Sequence, residues 1–166
     1  MRRQWIYLDD EDRLTFVVRV GRAALRCGWR CLAYCLMSNH YHLLLETPEA
    51  NLSAGMQWLN GTYAAHFNDR HGQSGHVFER RFRSVVVESE RQLAQEFRYI
   101  VLNPVRAKMC ERADQWSWSS YCESVGLVPP LIADPERLLR YFGASTNRRE
   151  AEAALAAFVQ ADTSGV

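Results

Sequence analysis

The spacing of apolar residues along the first part of the chain predicts a helix followed by a pair of strands. From residue 11 to residue 27 the apolar positions recur mostly at helical spacing, which predicts an amphipathic helix. Residues 31–37 are apolar almost throughout and predict a largely buried strand. Ser38-Asn39 indicates a tight turn and residues 40–46 a second strand, so we expect an antiparallel hairpin.

The rest of the chain continues this alternation of helices and strands. Residues 52–71 carry apolar side chains on one helical face, and residues 82–87, rich in Phe and Val, predict a strand. A further helix is expected from Glu90 to Asn103, where Pro104 should end or bend it. A short helix is expected near residues 135–142. From Ala144 onward we expect either a peripheral helix or a partly disordered tail.

This order of elements predicts an α+β fold in which helices cover an antiparallel sheet. The chain has 166 residues, enough to bury one core, and its 48% hydrophobic and 23% charged residues are typical of soluble globular proteins. No apolar run approaches the roughly 18 residues of a membrane span, and the N-terminus lacks the apolar stretch of a signal peptide. We therefore expect a cytoplasmic protein with no membrane partner.

The charged residues are distributed unevenly along the chain. The formal net charge is +1, but acidic residues gather at positions 9–12 and basic residues crowd the stretch from Arg70 to Arg112. A local basic surface suits a nucleic-acid partner, although the charge of the whole chain does not require one.

Two histidines at the start of the second predicted strand are candidate metal ligands. His40 and His42 are two residues apart, so strand alternation would place both imidazoles on one face and Tyr41 on the other. Neutral imidazole is a common ligand of first-row divalent metals. The pattern is short, and histidines that simply pack at a sheet surface produce it as well.

A tyrosine and an asparagine on the predicted helix before Pro104 form a second candidate constellation. Tyr99 and Asn103 are four residues apart, a spacing that puts two side chains on one helical face. The carboxamide oxygen of asparagine is a hard ligand that suits Mg²⁺ or Mn²⁺. A tyrosine becomes a nucleophile when a cation or a base stabilises its phenolate. Without the two histidines, a half-buried aromatic residue is the better explanation of Tyr99.

Together these segments resemble a known family. The resemblance is to the single-tyrosine HUH transposases (IS200-like transposases), in particular their REP-associated tyrosine transposase branch. The motifs that carry it run in order from about Arg3 to Tyr121: Tyr34-Cys-Leu-Met-Ser-Asn-His40-Tyr-His42, Gly75-His-Val-Phe78-Glu-Arg-Arg81-Phe82, Arg98-Tyr99-Ile-Val-Leu-Asn103-Pro104-Val-Arg106 and Trp118-Ser-Ser-Tyr121.

The resemblance implies a fold and a division of the chain. It implies a ferredoxin-like antiparallel sheet covered by helices, from which this chain is expected to lack the family's usual first strand, because Arg3-Gln4 lies where that strand ends. Residues 1–125 would form the HUH single-tyrosine domain. Residues 126–166 would form a helical C-terminal extension with a tail that is helical or partly disordered.

The resemblance also implies a chemistry. Tyr99 would attack a phosphodiester of single-stranded DNA and form a 5′-phosphotyrosine intermediate, while His40, His42 and Asn103 would hold a divalent metal, Mg²⁺ or Mn²⁺. The enzyme would cleave and rejoin DNA beside a hairpin of the REP (repetitive extragenic palindrome) kind. It would act as a monomer or homodimer, associated with the nucleoid.

Four arginines are the expected contacts to DNA, and they could hold phosphates without reading sequence. They are Arg80, Arg81, Arg83 and Arg106. A solvated strand edge would explain the first three equally well.

The alternative for the whole chain is a domesticated or truncated protein that binds hairpin DNA without cutting it. A plasmid relaxase or replication initiator is a more remote reading, against which the short length and the Asn-Pro-Val-Arg context argue.

Overall fold

The computed structural model describes residues 5–142 and 147–161, and within them it confirms the α+β class. These residues contain six α-helices, one short 3₁₀ helix and a two-stranded antiparallel sheet. The elements are α1 (Asp10–Cys27), β1 (Arg30–Leu36), β2 (Tyr41–Glu46), α2 (Leu52–His71), α3 (Glu90–Arg106), the 3₁₀ helix (Ala113–Gln115), α4 (Tyr121–Ser124), α5 (Pro135–Arg140) and α6 (Arg148–Gln160).

The chain divides into two compact units that interleave along the sequence. The first unit consists of Met1–Arg30, Ser38–His40 and Glu46–Val85. The second consists of Cys31–Met37, Tyr41–Leu45 and Val86–Val166. The domain boundary predicted at residue 125 is a different kind of division and stays a prediction.

The first unit is built on α1 and α2, which pack against each other in antiparallel directions. The Asp9 side chain caps the start of α1 by accepting a hydrogen bond from the Asp12 amide, and Gly28 ends the helix with a positive φ of 70°. Aromatic rings fill the space between the helices, with the Phe16 and Tyr63 centroids 5.1 Å apart. Burial of these rings holds the helix pair together.

A close approach fixes the junction between the end of α1 and the start of α2. The indole nitrogen of Trp29 donates to the side-chain oxygen of Asn51 at 2.7 Å, and the side-chain nitrogen of Asn51 donates to the Cys27 carbonyl at 2.9 Å. A Cβ at Gly55 would lie 2.3 Å from carbons of the Trp29 ring. Glycine at this position therefore leaves the space that the indole occupies.

The second unit has a single hydrophobic core to which the early strand and the late helices both contribute. Six of the seven residues of β1 are buried. Leu32 of β1 belongs to one cluster with Phe97 and Val101 of α3, Leu138 of α5 and Leu155 of α6. Of the two alternatives expected from Ala144 onward, a helix is present as α6, and its Leu155 is fully buried rather than peripheral. Residues 143–146 and 162–166, on which the rest of that prediction falls, lie outside the described residues.

One edge of β1 is paired with a segment far along the chain. The Leu36 amide donates to the Trp118 carbonyl at 2.8 Å, and the Ser120 amide donates to the Tyr34 carbonyl at 3.0 Å. Residue Ser119 between them forms an antiparallel bridge with Cys35. Residues 118–120 thus satisfy backbone groups that a sheet edge would otherwise expose.

The strand predicted at residues 82–87 is wrong. The described residues between α2 and α3 contain no strand, and the Val85 and Val86 side chains are both 77% exposed. The valines favour extended backbone, but a strand also requires a neighbouring strand whose backbone it can pair with. High β-propensity without such a partner leaves an extended irregular segment.

Pro104 does not end the helix that contains it, which corrects the predicted end at Asn103. α3 continues to Arg106 with Pro104 inside its last turn. The ring of Pro104 is buried, so packing offsets the loss of one backbone hydrogen bond. The Met109 amide then closes the turn on the Pro104 carbonyl at 2.9 Å.

The remaining elements match their predictions closely. α1, β1, α2 and α5 begin within about two residues of the expected positions, and the hairpin of β1 and β2 is confirmed. Residues 5–9, the described residues before α1, contain no strand. None of the helices in the described part of the chain is long and apolar enough to cross a membrane.

Candidate active site

Helix α3 carries the candidate nucleophile on the face opposite its buried side. Ser89 caps the helix by accepting from the Gln92 amide, and Phe97 and Val101 turn into the core. Tyr99 lies on the outer face and its side chain is 45% exposed. The same amphipathic spacing that builds the core therefore presents this tyrosine to solvent.

Two side chains of the second unit border the Tyr99 ring. The imidazole of His42, on β2, meets the ring edge to face, with centroids 5.6 Å apart and an interplanar angle of 88°. The guanidinium carbon of Arg106 lies over the ring, 5.3 Å from its centroid. A cation over a tyrosine ring is attracted by the ring quadrupole, and this contact restricts both side chains.

Asn103 is anchored to the same helix one turn after Tyr99. Its side-chain nitrogen donates to the Tyr99 carbonyl oxygen at 3.1 Å. Because the nitrogen makes this bond, the carboxamide oxygen is the atom directed elsewhere. That oxygen is the atom with which an asparagine binds a divalent cation.

The two predicted histidine ligands fall in different units. His42 belongs to β2 in the second unit, whereas His40 immediately precedes β2 and belongs to the first unit. The Nδ1 atom of His40 lies 2.7 Å from the Asn39 side-chain oxygen. In the tautomer whose Nδ1 donates to that oxygen, Nε2 is the nitrogen that can bind a metal.

The donor types at these positions fit a divalent metal of the first transition row. Imidazole nitrogen and amide oxygen together suit Mn²⁺ better than Mg²⁺, which prefers oxygen ligands. Among the described residues, no group of three or more His, Cys, Asp or Glu side chains could hold a metal ion.

The predicted DNA contacts separate into two groups. Arg106 lies on α3 beside Tyr99, whereas Arg80, Arg81 and Arg83 belong to the first unit, in the irregular segment before α3. The side chains of these three are exposed. The structure therefore presents them to solvent, and the strand that was predicted to contain Arg83 and to begin beside Arg80 and Arg81 is not present in this described stretch.

The contact between Arg106 and Tyr99 is the feature that sequence reasoning missed. Arg106 had been assigned only to phosphate binding, yet it also contacts the candidate nucleophile. The signal was available in the sequence, because residues seven apart return to the same helical face. The edge contact of His42 had no such signal, since it joins a strand to a helix 57 residues later.

Comparison with known proteins assigns the chain to a protein family. Residues 1–103, more than half of the chain, match the family described as transposase IS200 like. The chain therefore belongs to the IS200-like transposase family. The matched stretch ends at Asn103 and includes both histidines and Tyr99.

A curated relative points to one branch of that family. A protein of Haemophilus influenzae named as a REP-associated tyrosine transposase is 27% identical to this chain over 106 residues. The match covers 57% of this chain and 60% of the relative, so the chain spans less than two thirds of the relative's length. No solved structure matches.

Proposed function

We propose that this protein cleaves and rejoins single-stranded DNA next to a DNA hairpin, through a covalent 5′-phosphotyrosine intermediate. The observation that carries the proposal is the placement of Tyr99, a half-exposed tyrosine whose ring is bordered by His42 and Arg106. Family membership supports the DNA substrate, and the named relative supports a REP-type hairpin. A ferredoxin-like arrangement of the sheet is part of the same proposal and rests on the family match.

The cleavage step requires Tyr99 to lose its proton and attack phosphorus. The phenolate oxygen forms a bond to the phosphorus atom, and the bond from phosphorus to the 3′ oxygen breaks. The departing oxygen takes up a proton and becomes a 3′-hydroxyl, while the 5′ side stays esterified to Tyr99. Rejoining is the reverse displacement by a 3′-hydroxyl, so no nucleotide cofactor is consumed.

The residues around Tyr99 have separate roles in this proposal. Arg106 would attract a phosphate to the tyrosine, because a positive charge stabilises a nearby negative one. His40, His42 and Asn103 would hold a divalent metal, Mg²⁺ or Mn²⁺. When bound, that metal supplies a positive charge that polarises the scissile phosphate. Arg80, Arg81 and Arg83 would contact phosphates along the strand.

A labelled oligonucleotide that contains a hairpin and a single-stranded flank tests the proposal. Incubation with the protein and Mn²⁺ or Mg²⁺ is expected to give a covalent adduct on a denaturing gel, and Tyr99→Phe is expected to give none. Tyr141→Phe is a matched control, because Arg137 lies over the Tyr141 ring at the same 5.3 Å. Absence of an adduct with the wild-type protein, or an adduct that survives Tyr99→Phe, would overturn the assignment.

The alternative function is binding of hairpin DNA without cleavage, by a domesticated or truncated member of the family. The same experiment separates the two functions when a native gel is run beside the denaturing one. A shifted band on the native gel without an adduct on the denaturing gel would favour the binding protein.

A further inference from the structure

The positive and negative charges of the α1 and α2 pair are neutralised at one end only. At that end the Arg70 guanidinium pairs with three carboxylates, at 2.7–2.8 Å. The carboxylates belong to Asp9, Glu11 and Asp12 at the start of α1. His71 adds a further contact to Asp12, at 2.9 Å. At this end of the helix pair the charged side chains are therefore paired with one another.

The other half of the same helix pair carries three arginines and no acidic residue. Arg19, Arg22 and Arg26 are three and four residues apart, so they share one face of α1. Residues 13–27 of α1 contain no Asp or Glu, and neither do residues 52–68 of α2. Arg22 and Arg26 are exposed and Arg19 is partly buried.

These three arginines form no ion pair with a carboxylate within residues 5–142 and 147–161. Burial and the neighbouring charge of Arg22 lower the pKa of Arg19, which shows that the two guanidinium groups repel each other. Repulsion between like charges is an energetic cost in the protein alone. An anionic ligand that binds all three would remove it.

A tryptophan of α2 orients one of the three guanidinium groups. The guanidinium carbon of Arg26 lies 5.9 Å from the centroid of the Trp58 ring. An arginine stacked on an indole is restricted in its rotamers, so it loses less entropy when it binds a phosphate. Because Arg26 covers the ring, Trp58 is poorly placed to stack on a base, which favours contact with the phosphate backbone.

We propose that Arg19, Arg22 and Arg26 of α1 form a binding site for the phosphodiester backbone of DNA. The inference rests on the proposed function only in taking DNA as the partner. The site contributes affinity without reading sequence, as expected for guanidinium groups that contact phosphates. It is made of residues other than those at Tyr99 and other than Arg80, Arg81 and Arg83.

The salt dependence of DNA binding tests this site. Each phosphate contact contributes about 0.9 to the slope of log K against log salt on duplex DNA and about 0.7 on a single strand. Arg22→Gln combined with Arg26→Gln is therefore expected to reduce the slope by about 1.8 on a duplex or about 1.4 on a single strand. Lysine at both positions is expected to restore the slope.

A matched control removes two exposed arginines that already have carboxylate partners. Arg112 pairs with Asp114 at 2.5 Å, and Arg148 pairs with Glu152 at 2.8 Å. Arg112→Gln combined with Arg148→Gln lowers the net charge by the same two units and is expected to leave the slope unchanged. If the slope falls equally for both double variants, the effect comes from the change in net charge, and the proposed site is contradicted.

The probes are the duplex stem alone, the single-stranded flank alone and the complete hairpin, with thermal melts to show that each variant folds. A slope reduced on the stem assigns the site to duplex backbone, and one reduced on the flank assigns it to a single strand. A slope equal to that of the wild type on every probe refutes the inference even if the adduct forms. A reduced slope without any adduct would sustain the inference while the cleavage proposal fails.

Discussion

Two tyrosines of the second unit differ in their surroundings: one is part of the buried structure and the other is the candidate nucleophile. Tyr34 lies on β1, where it is buried and its hydroxyl donates to the Glu123 carboxylate. The second oxygen of Glu123 accepts from the Leu131 and Ala133 amides. Tyr99, on the outer face of α3, is half-exposed.

The difference lies in what surrounds each hydroxyl. Burial, and then the bond to Glu123, raise the pKa of Tyr34, so its phenolate is not formed at neutral pH. Tyr99 has a guanidinium over its ring and solvent access for a substrate. The residue type is the same, but of these two side chains only that of Tyr99 is accessible to a molecule in solution.

The largest expected effect is the loss of activity without a loss of stability when Tyr99 is substituted. Tyr99→Phe should abolish the covalent adduct, because the ring keeps its packing but has no oxygen to attack phosphorus. Its free energy of unfolding should change by no more than about 0.5 kcal/mol, since Tyr99 is half-exposed. Urea unfolding beside the adduct assay checks this, and a strongly destabilised Tyr99→Phe would contradict the exposed placement.

At Tyr34 we expect the opposite result, a loss of stability without a loss of activity. Tyr34→Phe removes the hydroxyl that donates to a buried carboxylate and should lower the free energy of unfolding by about 1–3 kcal/mol. The amount of adduct per folded molecule should stay at the wild-type value. A stable Tyr34→Phe variant with lost activity would show that this buried pair takes part in the chemistry.

A smaller effect is expected from the cation beside the nucleophile. Arg106→Ala should slow adduct formation roughly 10-fold, which corresponds to about 1.4 kcal/mol of transition-state stabilisation. Lysine should recover part of the rate, because it keeps the charge without the planar fork. Arg137→Ala, which removes the equivalent contact at Tyr141, is the control and should leave the initial rate of adduct formation unchanged.

The smallest effect is expected at acid pH, and it concerns carboxylates held by cations rather than by a tyrosine. The hydrogen bond from Arg70 lowers the pKa of Asp9 from 3.8 to about 2. Burial alone would raise the pKa of Asp12, but bonds from His71, the Leu8 amide and Arg70 leave it lowered. A depressed carboxyl pKa stabilises the fold above the unfolded value, and this contribution is lost as pH falls.

The free energy of unfolding should therefore decline between about pH 4 and about pH 2. Arg70→Met should be less stable at neutral pH and should show a shallower decline, because fewer cationic donors then hold these carboxylates. Urea midpoints measured across that range check the difference. If the two proteins lose stability in parallel as the pH falls, Arg70 is not the cause of the decline at acid pH.

Much of the local structure could be predicted because its causes are local. Helical spacing and a terminal glycine define α1 and α2, and the turn at Ser38-Asn39 defines the hairpin. The spacing of Tyr99 and Asn103 places both on α3, where a side-chain hydrogen bond joins them. These features depend on residues close together in the sequence.

The failures concern partners that lie far away in the sequence or are missing. Residues 82–87 have the composition of a strand, but composition does not reveal whether another strand is available to pair with them. Pro104 was expected to end or bend the helix, yet the helix continues to Arg106 and burial of the proline ring outweighs the local backbone preference. The pairing of β1 with residues 118–120 joins positions 86 residues apart, and no local pattern indicates it.

That pairing also has a consequence for the order in which the chain can fold. When β1 leaves the ribosome, the residues that bond to Tyr34 lie 86 positions later and have not been made. At synthesis rates of about 5–20 residues per second, this edge waits roughly 4–17 seconds for its partner. During that interval one edge of the apolar strand β1 lacks its native backbone partner, and an unpaired strand edge of this kind can pair with other chains.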